Sequence, residues 1–328
     1  MHTLPLLEEV PCDLCGGLDV DVLRPAAAEK RTTKDLVHIF RASSDVRLTD
    51  RLVQCKSCDL VFVSPRVHAP TIVASYSEGE DPTFVSQAEA RERTFGQSVE
   101  RIEELTGGPG SVFDIGTAGG SFLAAARARG WKVDGCEPNR WLAAWGKKHY
   151  GIDIRPGALT DHDLPDGQYD VVTLWDVVEH LPHPSAIIDR AKRLVKPGGY
   201  LIMTFPDFGS PSARVLGRFW PFLSSVHLFY FSKVTMGRML KKSGFEVVRT
   251  APHTQQLELS YLLHRAGDVL GRPLRALAKL VHKSPAGRTH ISYRLGQTFV
   301  AARRVLTVSM AGVDYEATLS ILGLALAF

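Results

Sequence analysis

Residues 112–123 read Val-Phe-Asp-Ile-Gly-Thr-Ala-Gly-Gly-Ser-Phe-Leu: an apolar, strand-like run that breaks at three glycines and restarts as a helix-like run. Glycine lets the main chain come close to a ligand, and a helix that starts at such a turn aims its free N–H groups at it. A strand feeding a helix through glycines is the opening unit of a doubly wound α/β sheet, so this turn constrains the fold more than any other feature. The next strand-like run ends at Glu137, 23 residues after Asp114, and continues into Pro138 and Asn139. A carboxylate at the tip of that second strand is placed to accept two hydrogen bonds from a ribose diol. A dinucleotide turn wants G-x-G-x-x-G, but Ala118 and Ser121 stand at the second and third of those positions.

Alternation continues around the turn. Val112–Ile115, Lys132–Cys136, Asp170–Leu174, Tyr200–Phe205 and Phe245–Thr250 read as strands, with a last one at Gly296–Ala302. Phe122–Arg129, Arg140–Tyr150, Pro184–Val195 and Lys233–Ser243 read as the helices between them. That order implies a Rossmann-like, doubly wound seven-stranded sheet covered on both faces. Residues 109–305 form this expected domain, with a helical insertion at about 255–290; residues 71–108 form a helical lid or linker and 306–328 an apolar tail. With 45% hydrophobic and 23% charged residues, disordered, collagen-like and coiled-coil chains are excluded.

Four of the five cysteines fall in two C-x-x-C pairs, Cys12/Cys15 and Cys55/Cys58. The two-residue spacer turns both thiolates toward one point, the knuckle geometry of tetrahedral Zn²⁺. Residues 1–70 are therefore expected to be a small zinc-ribbon-like domain, its 39-residue inner loop lengthened by the polar stretch Arg31–Asp50. Residues 2–10 lack the basic start and apolar run of a signal peptide, so a reducing, cytoplasmic setting and metal rather than disulfides are expected. Cys136 sits in a strand-like run and reads as a small core residue.

The formal charge is only +4, yet it divides unevenly. Residues 1–189 carry 19 basic and 29 acidic side chains; residues 190–328 carry 20 and 6. A net +14 in the second part points to an anionic partner there. Within it, Arg265, Asp268, Arg272, Arg275, Lys279 and Lys283 share one side of a helical projection opposite Leu259, Leu262, Leu263, Ala266 and Leu270. Gly271-Arg272-Pro273 should split that segment into two helices, whose basic face would suit solvent, an anionic membrane surface or a phosphate-bearing acceptor.

With an acidic residue two before its first glycine, the turn reads D-x-G-x-A-x-G and resembles motif I of the class I S-adenosylmethionine-dependent methyltransferases, with Ala118 in place of the usual second glycine. Residues 166–181, DGQYDVVTLWDVVEHL, resemble that family's strand-four segment, and LVKPGGYL at 194–201 its turn into strand five. HLFYFS at 227–232, with Leu240 through Gly244 and Phe245, is similar to a branch that carries an N-terminal ribbon with two C-x-x-C pairs. Some members of that branch methylate carbon atoms of nucleotide-linked deoxysugars.

The resemblance implies S-adenosylmethionine as cofactor and a structural zinc. It implies that Asp114, Gly116, Ala118 and Gly120 line the amino-acid end, that Glu137 takes the ribose hydroxyls and that Asn139 assists. Asp161 is a candidate for the adenine amino group, Trp175 and Asp176 for the place where methyl donor and acceptor meet, and Tyr76 for closing over the cofactor. His180 and His227 stand in family motifs and are the candidate general bases, with Glu179 orienting a histidine or capping a helix. The expected reaction is methyl transfer to a small, anionic or carrier-linked acceptor such as a nucleotide sugar, glycan or lipid precursor. An RNA methyltransferase is disfavoured because residues 1–70 hold acidic and basic side chains in near balance without a basic–aromatic cluster. A degenerate scaffold subunit is the remaining alternative.

Overall fold

The computed structural model of the protein describes residues 6–27, 32–44, 46–270, 278, 280–281, 284–310 and 313–317. Around the cysteines run short strands β1 (Leu7–Glu8), β2 (Val20–Arg24), β3 (Leu52–Cys55), β4 (Val61–Val63) and β5 (Arg66–Val67), with helix α1 (Thr33–Phe40) between β2 and β3. The polar stretch read only as an insertion thus contains a helix. Its start is fixed by a capping box between Thr32 and Asp35, and its Leu36, Ile39 and Phe40, at i, i+3 and i+4, are buried. The lid region follows as α2 (Ala69–Glu78), the single turn α3 (Pro82–Val85) and α4 (Ala88–Thr106). Gly107, at φ 78°, ends α4 in the left-handed region.

The alternating part comprises β6 (Ser111–Ile115), α5 (Ser121–Ala128), β7 (Lys132–Glu137), α6 (Arg140–Tyr150), β8 (Arg155–Pro156), β9 (Tyr169–Trp175), α7 (Pro184–Leu194) and β10 (Val195–Pro206). Then come α8 (Pro211–Leu216), β11 (Phe229–Tyr230), α9 (Lys233–Lys242), β12 (Phe245–Pro252), β13 (Gln255–Glu258), α10 (Leu259–Leu270), β14 (His290–Tyr293) and β15 (Gln297–Arg304). The main sheet has seven strands in the order β12-β15-β10-β9-β6-β7-β8. From β10 to β8 all neighbours run parallel, while β15 is antiparallel to both β10 and β12. The sheet is therefore mixed: the last strand enters from the insertion without a crossover helix and fills the slot between β10 and β12.

Side chains alternate between the faces of the sheet with the two-residue period of a strand. Val112, Val171 and Ile202 pack with Phe122, Leu123, Val99 and Ile102 on one face. Phe113, Val172, Leu201 and Met203 pack with Ile188, Leu194, Met236 and Leu240 on the other. Cys136 is fully buried in β7, inside this core. The second cluster runs without a break into Cys12, Cys55, Leu60 and Phe62 of the ribbon, and β11 hydrogen-bonds to β4 to extend the ribbon sheet to β11-β4-β3-β2. The ribbon is thus anchored by a strand drawn from far along the chain.

The insertion starts and ends as a two-stranded antiparallel pair, β13 with β14, and α10 lies between them. The expected break at 271–273 and the basic side chains of Arg265, Arg272, Arg275, Lys279 and Lys283 lie outside the described residues. The expected tail begins as a hairpin, β16 (Leu306–Met310) with β17 (Val313–Ala317), and 318–328 lie outside the described residues. Among the described residues, no helix is long and apolar enough to cross a membrane.

Candidate active site

The strand order reverses between β6 and β9, so their carboxyl ends open a crevice, the place where ligands bind in such sheets. A cavity of about 350 Å³ lies there, lined by Asp114, Gly116, Thr117, Ala118 and Gly119 at one end and by Glu179, His180, Val226 and His227 at the other. Tyr76, Trp175 and Asp176 also line it.

The glycine turn is tight for steric reasons. Gly116 sits at φ 69°, and a Cβ there would meet Val177 at 2.9 Å; at Gly119 a Cβ would meet the Trp145 ring at 2.9 Å. Ala118, the departure from the family pattern, adopts φ 49°, a left-handed conformation that costs an L-residue about 1 kcal/mol. Its N–H donates to Glu137 Oε2 at 2.7 Å, and the Asn139 N–H donates to Oε1 at 2.7 Å. The Tyr76 hydroxyl donates to the same carboxylate. Burial pushes Glu137 up to about 7 against these three hydrogen bonds, and burial likewise raises Asp114 to about 7 against the Thr173 hydroxyl, 2.6 Å away. Two buried carboxyls so disposed suit a cationic ligand, whose charge would return them to the ionised form.

Beyond β9 the chain turns sharply, with Asp176 at φ 52°. Its carboxylate accepts three hydrogen bonds: Thr204 Oγ1 donates to Oδ1 at 2.9 Å, and Gln255 and Gln297 donate to Oδ2 at 2.9 and 2.8 Å. Trp175 packs against Phe95 and Phe122, and its buried Nε1 has no hydrogen-bond partner among the described residues. Such a donor facing a cavity is available to a ligand.

At the far end, main-chain hydrogen bonds stitch two distant segments together. The Glu179 carbonyl accepts from the N–H groups of Leu228 and Phe229 at 2.8 and 3.1 Å, which brings His227 beside His180 with ring centroids 4.8 Å apart. His180 Nδ1 lies 3.1 Å from the Val226 carbonyl and His227 Nδ1 2.8 Å from that of Phe222. A carbonyl only accepts, so each Nδ1 carries hydrogen in these bonds. Burial lowers the pKa of His180 and keeps its ring neutral near pH 7.

Several expected site residues are placed differently. Asn139 caps α6 by accepting from Leu142 N–H and clamps the end of α2 by donating to the carbonyls of Tyr76 and Gly79, so its side chain is fully engaged and does not line the cavity. Asp161 is exposed, accepts from the Ala158 N–H at 2.8 Å and borders a separate hollow beside Trp141. Gly120 starts α5 at φ 81° and, like Glu137, stands behind the lining. Conversely, Arg41, Arg91, His253, Gln255 and Gln297 line the cavity without having been singled out; no motif spacing marks them.

The cysteines converge. Cys12 and Cys58 sulfurs are 3.4 Å apart, as are those of Cys15 and Cys55, and all four lie within 4.8 Å of one another. Zn–S bonds of about 2.3 Å put tetrahedral sulfurs about 3.8 Å apart, so the donor set fits structural zinc. The two knuckles repeat one geometry: Gly16 N–H bonds to Cys12 O and Asp59 N–H to Cys55 O, with both residues left-handed at φ 77° and 63°. Gly17 keeps the sulfurs accessible, since a Cβ there would meet Cys15 Sγ at 3.3 Å. Burial holds the Cys58 thiol up at about 11 without a metal; a bound cation would instead draw out the thiolate.

Comparisons with known proteins find a family and several relatives. The model of a methyltransferase-domain family matches residues 87–250. Ubiquinone biosynthesis O-methyltransferases from Pseudomonas savastanoi and Pseudomonas aeruginosa are each 34% identical over 113 residues, 32% of this chain and 49% of theirs. The chain thus spans about half the length of these curated relatives. A solved methyltransferase from Archaeoglobus fulgidus has a TM-score of 0.47 and 17% identity over 68% of this chain and 100% of that one. With its family segment covering the glycine turn, Glu137 and the strand-four motif, the chain belongs to the S-adenosylmethionine-dependent methyltransferases.

Proposed function

We propose that this methyltransferase acts on a small acceptor that presents an oxygen nucleophile and carries a negative charge. The observation that carries the charge is a pair of cavity-lining arginines, Arg41 and Arg91, whose buried Nε atoms have no hydrogen-bond partner among the described residues. Arg91 stacks at 3.7 Å over Phe84, which fixes the guanidinium plane. A buried, unpaired guanidinium N–H is costly, and a carboxylate or phosphate on the acceptor would satisfy it. The similar Pseudomonas proteins are named as O-methyltransferases, which supports oxygen as the acceptor atom.

S-adenosylmethionine supplies a methyl group on an already activated sulfonium. The chain's residues therefore have three tasks. Asp114 lines the cofactor end, and Glu137, just behind that lining, would take the ribose hydroxyls. Phe95, Phe122 and Trp175 wall the middle and exclude water. Proton removal from the acceptor falls to Glu179, His180 and His227, the titratable groups at the other end. The acceptor oxygen's pair then forms the bond to carbon as the carbon–sulfur bond breaks onto sulfur.

The test uses paired acceptors that differ only in an anion, such as a hydroxylated benzoate and its methyl ester. The anionic member should have at least about tenfold higher kcat/KM, the scale of one charge-assisted hydrogen bond. Arg41→Met or Arg91→Met should erase that preference and leave cofactor affinity unchanged. Equal use of both members by the unaltered enzyme would refute the anionic acceptor.

A further inference from the structure

Glu179 is 2% exposed and lines the cavity, and neither carboxylate oxygen has a hydrogen-bond partner among the described residues. A carboxyl left unpaired in the interior is expensive, so its two oxygens call for donors from whatever fills the cavity. The neighbouring rings do not supply them. His180 and His227 each direct Nδ1 at a main-chain carbonyl, and the His180 ring also meets the carbonyl of Asp176. His180 Nε2 stands 4.0 Å from Glu179 Oε1, beyond hydrogen-bond reach. Asp176 is the second carboxylate at this end, and its side-chain donors Thr204, Gln255 and Gln297 are all neutral. Burial, and then the charge of Asp176, push the Glu179 carboxyl well above the usual carboxylate range. The acceptor end thus has a negative pole in the same cavity as the unpaired guanidinium groups of Arg41 and Arg91.

We propose that Glu179 holds a vicinal amino alcohol of the acceptor, an ammonium group on one oxygen and the reacting hydroxyl on the other. A carboxylate with both oxygens free accepts from two donors side by side, and a lone hydroxyl would fill only one of them. An ammonium adds charge to its hydrogens, and charge-assisted bonds are the stronger kind. It would also return Glu179 to the ionised form, in which the carboxylate can take the proton of the neighbouring hydroxyl. The site deepens the methyltransferase reading and rests on it in one respect, that the cavity receives the acceptor. Together with an anion at Arg41 and Arg91, it makes that acceptor a zwitterion.

Two pairs of small probes separate the charges. One pair is 3-phenylserine and 3-phenylglycerate, which carries a hydroxyl in place of the amine. The other, 2-amino-1-phenylethanol and 1-phenyl-1,2-ethanediol, makes the same exchange without a carboxylate. Binding to protein loaded with S-adenosylhomocysteine is followed by ligand-detected NMR. In each pair the ammonium member should bind at least about tenfold tighter, the scale of one charge-assisted hydrogen bond. Glu179→Gln should bring the members of each pair within about threefold of one another. Glu179→Asp, which keeps the charge, should retain part of the preference, and unchanged S-adenosylhomocysteine affinity in both variants reports an intact fold. Equal binding within both pairs, no binding by either amine, or a preference that survives Glu179→Gln would overturn the site. Equal binding of the two amines, with their preference over the diols intact, would support the site and count only against the anion at the arginines. Loss of S-adenosylhomocysteine binding by the unaltered protein would sink the methyltransferase reading and the site with it.

Discussion

The two ends of the cavity are built on opposite principles. At the cofactor end the polar groups are already paired: Glu137 accepts from two main-chain N–H groups and Tyr76, and Asp114 from Thr173. Everything except Tyr76 and Thr173 lies within 26 residues of chain, from Asp114 to Asn139, on one strand–turn–helix–strand unit and the residues just after it. At the acceptor end, Arg41, Arg91, Glu179, His180, His227 and Gln255 come from segments far apart, and Glu179 and the Nε atoms of both arginines are left without hydrogen-bond partners. A fixed cofactor can be met by a local, preformed cradle, whereas a site specific to one acceptor must be assembled by tertiary contacts.

Removing the metal is the strongest way to separate the ends. The ribbon carries α1 and residues 40–44, which wall the acceptor side, but none of the glycine turn. A strong chelator under reducing conditions should lower the melting temperature and abolish acceptor turnover, since a structural Zn²⁺ is worth on the order of 10 kcal/mol to its fold. S-adenosylhomocysteine affinity should fall far less, by under about tenfold. Equal loss at both ends would show that the ribbon supports the whole sheet.

The difference in charge state gives a second, smaller effect. Folding raises Asp114 from 3.8 and Glu137 from 4.5, both to about 7. Between pH 4 and 7 the folded form therefore binds more protons than the unfolded one, and free-protein stability falls as pH rises through this window. A cationic cofactor reverses the balance. Calorimetry at pH 6.5 in buffers of different ionisation enthalpy should show protons released on binding S-adenosylmethionine, and affinity should rise toward pH 8. Proton uptake would contradict the assignment.

The smallest effect is at Ala118. Relief of its left-handed strain in Ala118→Gly should raise stability by up to about 1 kcal/mol by denaturant titration, offset partly by glycine's extra freedom in the unfolded chain. A loss beyond about 1 kcal/mol would mean that the methyl group packs usefully.

What was legible in the sequence follows the same divide. The strands from Val112 to Phe205, helix 140–150 and the cysteine knuckles are local patterns, and the sheet places them as read. The antiparallel β15 was not legible, because its direction depends on where the insertion returns the chain. The capping bond of the Asn139 side chain was not legible either, because an asparagine beside an expected ligand site fits both a helix cap and a ligand contact. The charge division does not reach the cavity: the basic part, residues 190–328, contributes no lysine or arginine to its lining among the described residues, and both lining arginines come from the acidic part. A charge sum over a segment does not say which of its side chains line a cavity.

The central claim is that the turn after β6 and the carboxylate ending β7 form one cofactor cradle. Isothermal titration with S-adenosylhomocysteine tests it directly. The protein should bind one equivalent, and Glu137→Ala should weaken binding by at least about 100-fold, the loss of two hydrogen bonds to a charged acceptor. No binding by the unaltered protein, or equal affinity in the variant, would contradict it.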